Sequence, residues 1–162
     1  MTIFDKLKIL CYDTVKTHGG AYTMISQFKS AAIEDLSKYQ FGESTIEASL
    51  FKMVKGIQKE LGLSKSELAN ILQRSVSTIG TWDSAESITV QKSKPSPNDQ
   101  VIIAFIDIFD LSSNLFYRED QKLKWFKSPN KAFGGLSPLD EMKVSADRLF
   151  KVRDYLEYLG NP

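Results

Sequence analysis

Three kinds of side chain in this sequence could act on another molecule: hydroxyls at Ser75, Ser77, Thr78 and Thr81, one imidazole at His18, and carboxylates paired at Glu34-Asp35 and Asp140-Glu141. Small hydroxyls spread over two helical turns can hydrogen-bond to phosphates or base edges. A histidine next to a serine or cysteine would activate a nucleophile. His18, however, is the only histidine, and it falls at an expected helix end, where a cation complements the helix dipole. The lone Cys11 excludes an intramolecular disulfide or a cysteine zinc cluster, and its neighbours Ile9, Leu10 and Tyr12 suit a buried thiol. Gly19-Gly20 and Gly134-Gly135 lack the Lys-Ser/Thr or third glycine of a phosphate-cradling loop. The paired carboxylates read as exposed charges on helices. The expectation is a protein that is not an enzyme and has no metal or cofactor.

Binding is then the function to look for, and charge narrows it. Residues 1–63 carry 8 basic and 7 acidic side chains, 64–100 carry 4 and 4, and 101–162 carry 9 and 9, so no segment is a basic domain. DNA affinity would have to come from clustering in three dimensions or from dimerisation. At 162 residues and 42% apolar composition the chain can form one ordinary domain or two small ones. No run is long enough to span a bilayer. The start, Met-Thr-Ile-Phe-Asp-Lys-Leu-Lys, suits an amphipathic helix better than a signal peptide, so a cytoplasmic location is expected.

The elements that must position these groups are helices. Ile3, Leu7, Leu10, Cys11 and Val15 form a helical stripe stopped by Gly19-Gly20, and a second helix is expected from about Ala21 to Tyr39. A third runs from about Ser44 to Glu60, with Ile46, Leu50, Met53, Val54 and Ile57 as core candidates. Ser64 and Glu67 have capping-box spacing, with Leu63 and Leu68 placed as a hydrophobic staple, so a short helix begins at Lys65. Ser75 can cap the next, which carries Ile79 and Trp82. The twice-proline-interrupted stretch up to residue 99 reads as a linker. Asn98 or Asp99 then caps an apolar helix from Val101 to Tyr117, broad enough to be packed on more than one side. The last helix, about Ser145 to Leu159, has Leu149, Val152, Tyr155, Leu156 and Leu159 on its inward stripe. The organisation expected is all-α: a helical extension over 1–44, a helix-turn-helix module over 45–88, a linker over 89–99 and a second helical domain over 100–162.

Two short helices joined by a tight turn outline a helix-turn-helix. Residues Leu68 to Trp82 resemble that of the Xre and lambda-repressor-like regulators, in which the second helix lies in the major groove. This resemblance makes Ser75, Val76, Ser77, Thr78 and Thr81 the DNA-facing candidates. None makes the bidentate contacts of strong direct readout, so any operator site would be weakly specific. Gln73 stands where a turn glycine is usual, Arg74 where an apolar residue is usual, and Asp83 and Glu86 would repel phosphates. Packing or dimerisation is the competing role for this unit.

Trp125-Phe-Lys-Ser-Pro-Asn-Lys-Ala-Phe-Gly-Gly-Leu-Ser-Pro-Leu-Asp140 is the sharper signal. Pro129 disfavours helix at Ser128, Gly134 and Gly135 permit positive φ, Ser137 can cap a new helix and Pro138 fits its first position. The Trp, the Pro-Asn step, the Gly-Gly turn and Ser-Pro-Leu-Asp, with the closing helix Arg148 to Glu157, resemble the toxin-binding domain of the Xre/MbcA/ParS antitoxins. The resemblance covers roughly 64–162 and is strongest over 119–160. It implies an antitoxin of a type II pair that neutralises a RES-type, NAD-consuming toxin and represses its own operon as a homodimer. The contacts it implies are Asn130, Phe133, Gly134, Gly135, Ser137, Pro138, Leu139, Arg148, Arg153 and Tyr155, with Trp125 either an anchor or part of its own core. A stand-alone DNA-binding regulator and an adaptor for another protein are the alternatives.

Overall fold

The computed structural model describes residues 46–89 and 96–160, and four of its helices begin where the sequence supplies a serine. Ser64, Ser75, Ser96 and Ser137 each sit at an N-cap with extended backbone and accept a hydrogen bond from the N–H three residues on. Each satisfies a donor the helix itself leaves open, a contribution of about 1 kcal/mol. The helices are α1 (Ile46–Leu61), α2 (Lys65–Ile71), α3 (Val76–Ala85), α4 (Pro97–Leu115), α5 (Glu119–Lys127), α6 (Pro138–Val144) and α7 (Ala146–Gly160), with a 3-10 turn at Lys131–Phe133. Among the described residues there is no strand, and the fold is all-α as expected. The two helices expected before residue 40, with His18 and Cys11, lie outside the described residues.

The start of α4 departs from the sequence reading. Its cap is Ser96, not Asn98 or Asp99: Pro97 takes the first helical position, where no N–H is needed, and Asp99 becomes the third residue. Asp99 closes a capping box by accepting from the Ser96 N–H at 3.0 Å.

Side chains before and after residues 90–95 share one core. Val54, Ile57 and Leu61 of α1, Leu68 and Ile71 of α2, and Ile79 and Trp82 of α3 join Ile102, Phe105, Ile108 and Phe109 of α4 and Leu149, Val152 and Leu156 of α7 in a single buried cluster. α4 packs against α1 and α7, which accounts for its apolar breadth. Leu159, expected inward, is 40% exposed: the buried stripe of α7 is Leu149, Val152 and Leu156 and ends one turn earlier.

Between α2 and α3 the backbone turns at Gln73, whose φ of 53° is the left-handed value a glycine would adopt freely. Its amide donates to the Asn70 carbonyl at 2.6 Å, and Arg74 N–H bonds the Ala69 carbonyl at 2.9 Å. A non-glycine residue held there costs roughly 1 kcal/mol. Gln73→Gly is therefore expected to raise stability by about 0.5 kcal/mol after losing the side-chain bond. A lower urea midpoint for the variant would show that the Gln73 amide outweighs the backbone cost.

Candidate partner-binding site

The corner between α5 and α6 is built from backbone outward. Helix α5 ends at Ser128, extended ahead of Pro129. Asn130 then ties a seven-residue loop shut: its side chain accepts from Ala132 N–H at 2.9 Å, its carbonyl accepts from Gly135 N–H at 3.0 Å, and its own N–H donates to the Leu136 carbonyl at 3.0 Å. Closing it so tightly requires two successive left-handed residues, supplied by Gly134 (φ 66°) and Gly135 (φ 91°). Ser137 Oγ donates to Asp140 at 2.6 Å and accepts from its N–H at 3.1 Å, starting α6 behind Pro138. This hydroxyl, helped by Lys143, holds the Asp140 carboxyl below its ordinary range.

The expected contact residues divide by burial. Phe133 points inward, 2% exposed, meeting the Tyr155 ring edge-on at 5.2 Å with the Lys151 ammonium 5.6 Å from its centroid. Ser137, Pro138 and Leu139 are buried too, so these four side chains shape the corner from behind. Gly134 and Gly135 are exposed, Asn130, Tyr155 and Arg153 half-buried, and Arg148 exposed. Trp125 is half-buried, its ring 5.6 Å from Phe116 and 5.0 Å from Phe126, so it belongs in part to its own core.

Glu141 overturns one expectation. It is fully buried, not an exposed helical charge, because α6 lies against α7 and turns this carboxylate into the contact. Arg148 Nη1 donates to both its oxygens, at 3.0 and 2.9 Å, and Lys151 reaches it at 3.4 Å. Arg153 bonds Asp154 at 2.8 Å and lies 3.8 Å from Glu157.

The sequence reading also missed a buried lysine. Lys122, on α5 one turn before Phe126, is 5% exposed and pairs with Glu60 of α1 at 2.6 Å and Glu119 at 3.0 Å. Its spacing of four from Phe126 was the available sign that it shares the buried stripe.

Glu67 has two tasks. It accepts from Ser64 N–H at 2.9 Å, closing the α2 capping box, and takes Lys143 of α6 at 3.0 Å. The Ser64 backbone bond first, then Lys143, lowers its pKa from 4.5 to about 2. A depressed carboxyl pKa stabilises the fold above the unfolded value of 4.5, and that stability is lost as pH falls towards 2. Glu67→Gln should cost about 1 kcal/mol at pH 7, and the difference from the parent should shrink between pH 4.5 and 2. Urea denaturation across that range measures it, and a gap independent of pH would count against the assignment.

On the helix-turn-helix face, Ser75, Val76, Ser77 and Thr81 are exposed and Thr78 is half-buried, its N–H donating to Ser75 Oγ at 3.0 Å. Asp83 binds Lys65 at 2.7 Å and Lys55 at 3.0 Å, and these, Lys65 foremost, lower its pKa. Arg74 does the work of an apolar residue: its guanidinium lies 5.9 Å from the Trp82 ring and 3.5 Å from Asp99. Among the described residues no group of His, Cys, Asp and Glu could hold a metal ion, and no helix is long and apolar enough to cross a membrane.

Residues 113–160 match the family model of the antitoxin Xre/MbcA/ParS C-terminal toxin-binding domain. Among solved structures the chain is similar to one in the crystal structure of the M. tuberculosis MbcT-MbcA toxin-antitoxin complex, at 24% identity and TM-score 0.44, covering 67% of this chain and 94% of that one. No curated protein matches it. The matched segment runs from the last turn of α4 to the end of α7 and contains the whole corner.

Proposed function

We propose that this protein is the antitoxin of a type II toxin–antitoxin pair and that it neutralises a RES-type, NAD-degrading toxin by covering the toxin's NAD cleft. The observation that carries the proposal is the match of residues 113–160 to a toxin-binding domain. The exposed Gly134 and Gly135 edge, with Asn130, Arg148, Arg153 and Tyr155 around it, is the contact face, while Phe133, Ser137, Pro138 and Leu139 hold its shape. Aromatic and arginine side chains that become buried at the centre of such a contact carry disproportionate interface energy.

Autoregulation is the second part of the proposal. The exposed Ser75, Val76, Ser77 and Thr81, with Thr78 behind them, would touch operator DNA in the cytoplasm as one half of a homodimer. With so few strong readout groups, binding would depend on both copies. Residues 45–88 form the DNA-facing module, 100–162 the toxin-binding one, and 1–44 an extension to the former.

Co-expression with the product of the adjacent gene, followed by affinity capture and a cellular NAD assay, tests the reading. The expected result is a stable complex with NAD preserved. No complex and no protection would leave a DNA-binding regulator or an adaptor as the better account.

A further inference from the structure

The chain as a whole is nearly neutral, with 21 basic and 20 acidic residues, yet its charges are not evenly spread. Residues 122–153 hold eight lysines and arginines against three carboxylates, a net of +5. Five of the eight are engaged: Lys122 by Glu60 and Glu119, Lys143 by Glu67 and Asp140, Arg148 and Lys151 by Glu141, and Arg153 by Asp154. The other three, Lys124, Lys127 and Lys131, are exposed, and among the described residues none has a carboxylate within ion-pair distance.

These three lie together with the corner. Lys124 and Lys127 are one turn apart at the end of α5, and Lys131 opens the loop that Asn130 closes against Leu136. Lys127 borders the same shallow depression as Ser137 and Leu139, which places it beside that loop. The acidic groups lining this depression, Glu67 and Asp140, are both occupied by Lys143. Leu136, 40% exposed directly after the two glycines, is the apolar point of the face.

We infer that Lys124, Lys127, Lys131 and Leu136 form a basic docking face for an acidic surface of the toxin, with Leu136 entering an apolar socket inside that acidic rim. The inference rests on the antitoxin reading and adds the chemistry of the partner's contact surface. A protein suits this face better than a nucleic acid because an exposed leucine between the glycine turn and the α6 cap gains nothing against a phosphate backbone. Unpaired rim cations attract an acidic partner from a distance and act mainly on the association rate.

The test is surface-immobilised toxin titrated with the full chain at about 50 and 300 mM salt, a range over which rim charges become strongly screened. Wild-type association should slow about tenfold or more with salt. Lys124→Gln/Lys127→Gln/Lys131→Gln should slow association at low salt to near the high-salt rate and flatten the salt dependence. Leu136→Asp should raise the dissociation rate about tenfold or more. All four sites are exposed, and an unchanged thermal midpoint confirms folding. Wild-type rates in the triple variant would overturn the inference while leaving the antitoxin reading intact. No binding by wild-type protein would overturn the antitoxin reading itself. Loss of DNA retention by the triple variant with toxin binding unchanged would assign the face to nucleic acid and overturn the inference.

Discussion

Phe133→Ala is expected to destabilise the protein by about 3–5 kcal/mol, the cost of truncating a fully buried phenylalanine. Its ring is 2% exposed, held by the Tyr155 edge at 5.2 Å, and it is the one large apolar side chain buried in the loop from Asn130 to Leu136. It ties the loop that carries the glycine turn to Tyr155 and Lys151 of α7. The thermal midpoint should fall by about 10 °C or more. Toxin binding should weaken in step, because Gly134 and Gly135 lose their support and the loop must be reordered on binding. Phe133→Leu, which keeps most of the volume, should retain the greater part of both stability and binding. A Phe133→Ala variant with parental stability but no binding would instead make Phe133 a direct contact that turns outward in the complex.

How the corner could be read from sequence follows from what makes it. Ser128-Pro129, Gly134-Gly135 and Ser137-Pro138 are local backbone instructions, each acting within a few residues, and the structure carries all of them out. The same holds for the Ser64–Glu67 capping box. Which side chains turn inward was harder. Phe133, Pro138 and Leu139 read as contacts and Glu141 as a solvated charge, because their burial depends on elements packing together, α6 against α2, α5 and α7 and Phe133 against Tyr155, rather than on a local pattern. Arg74 and Lys122 hide for a related reason: a long cationic side chain in sequence looks like surface, whereas Trp82 with Asp99, and Phe109 with Glu60, supply partners from distant segments. The Ser96 cap was missed by two residues because Asn98 and Asp99 are equally good cap types, and only the proline at 97 separates the choices.

Lys122→Met is expected to cost about 3 kcal/mol at neutral pH, and the loss should shrink in acid. Lys122 extends from α5 under Phe109, 4.1 Å from its ring centroid, donates to Ser113 at 3.2 Å and pairs with Glu60 of α1, so it joins three helices of the shared core. Methionine keeps the apolar stem and removes the ammonium, leaving Glu60 and Glu119 facing each other without a cation. Burial, and then Glu119, already raise the Glu60 pKa, whereas Lys122 works to lower it. Losing Lys122 therefore raises Glu60 further. A raised carboxyl pKa means that the folded state holds the proton more tightly than the unfolded chain does. The benefit is present below the ordinary value of 4.5 and is lost as pH rises through the folded value. The stability gap between parent and variant should consequently be widest at pH 7 and narrow towards pH 4.5. Glu60→Gln added to Lys122→Met should recover part of the loss at pH 7, because the half-buried carboxylate left without its cation is then gone. Urea denaturation of the three proteins at pH 7 and pH 5 decides the matter. A gap that stays constant, with no rescue by Glu60→Gln, would assign the cost of Lys122→Met to packing rather than to the charge that ties α5 to α1.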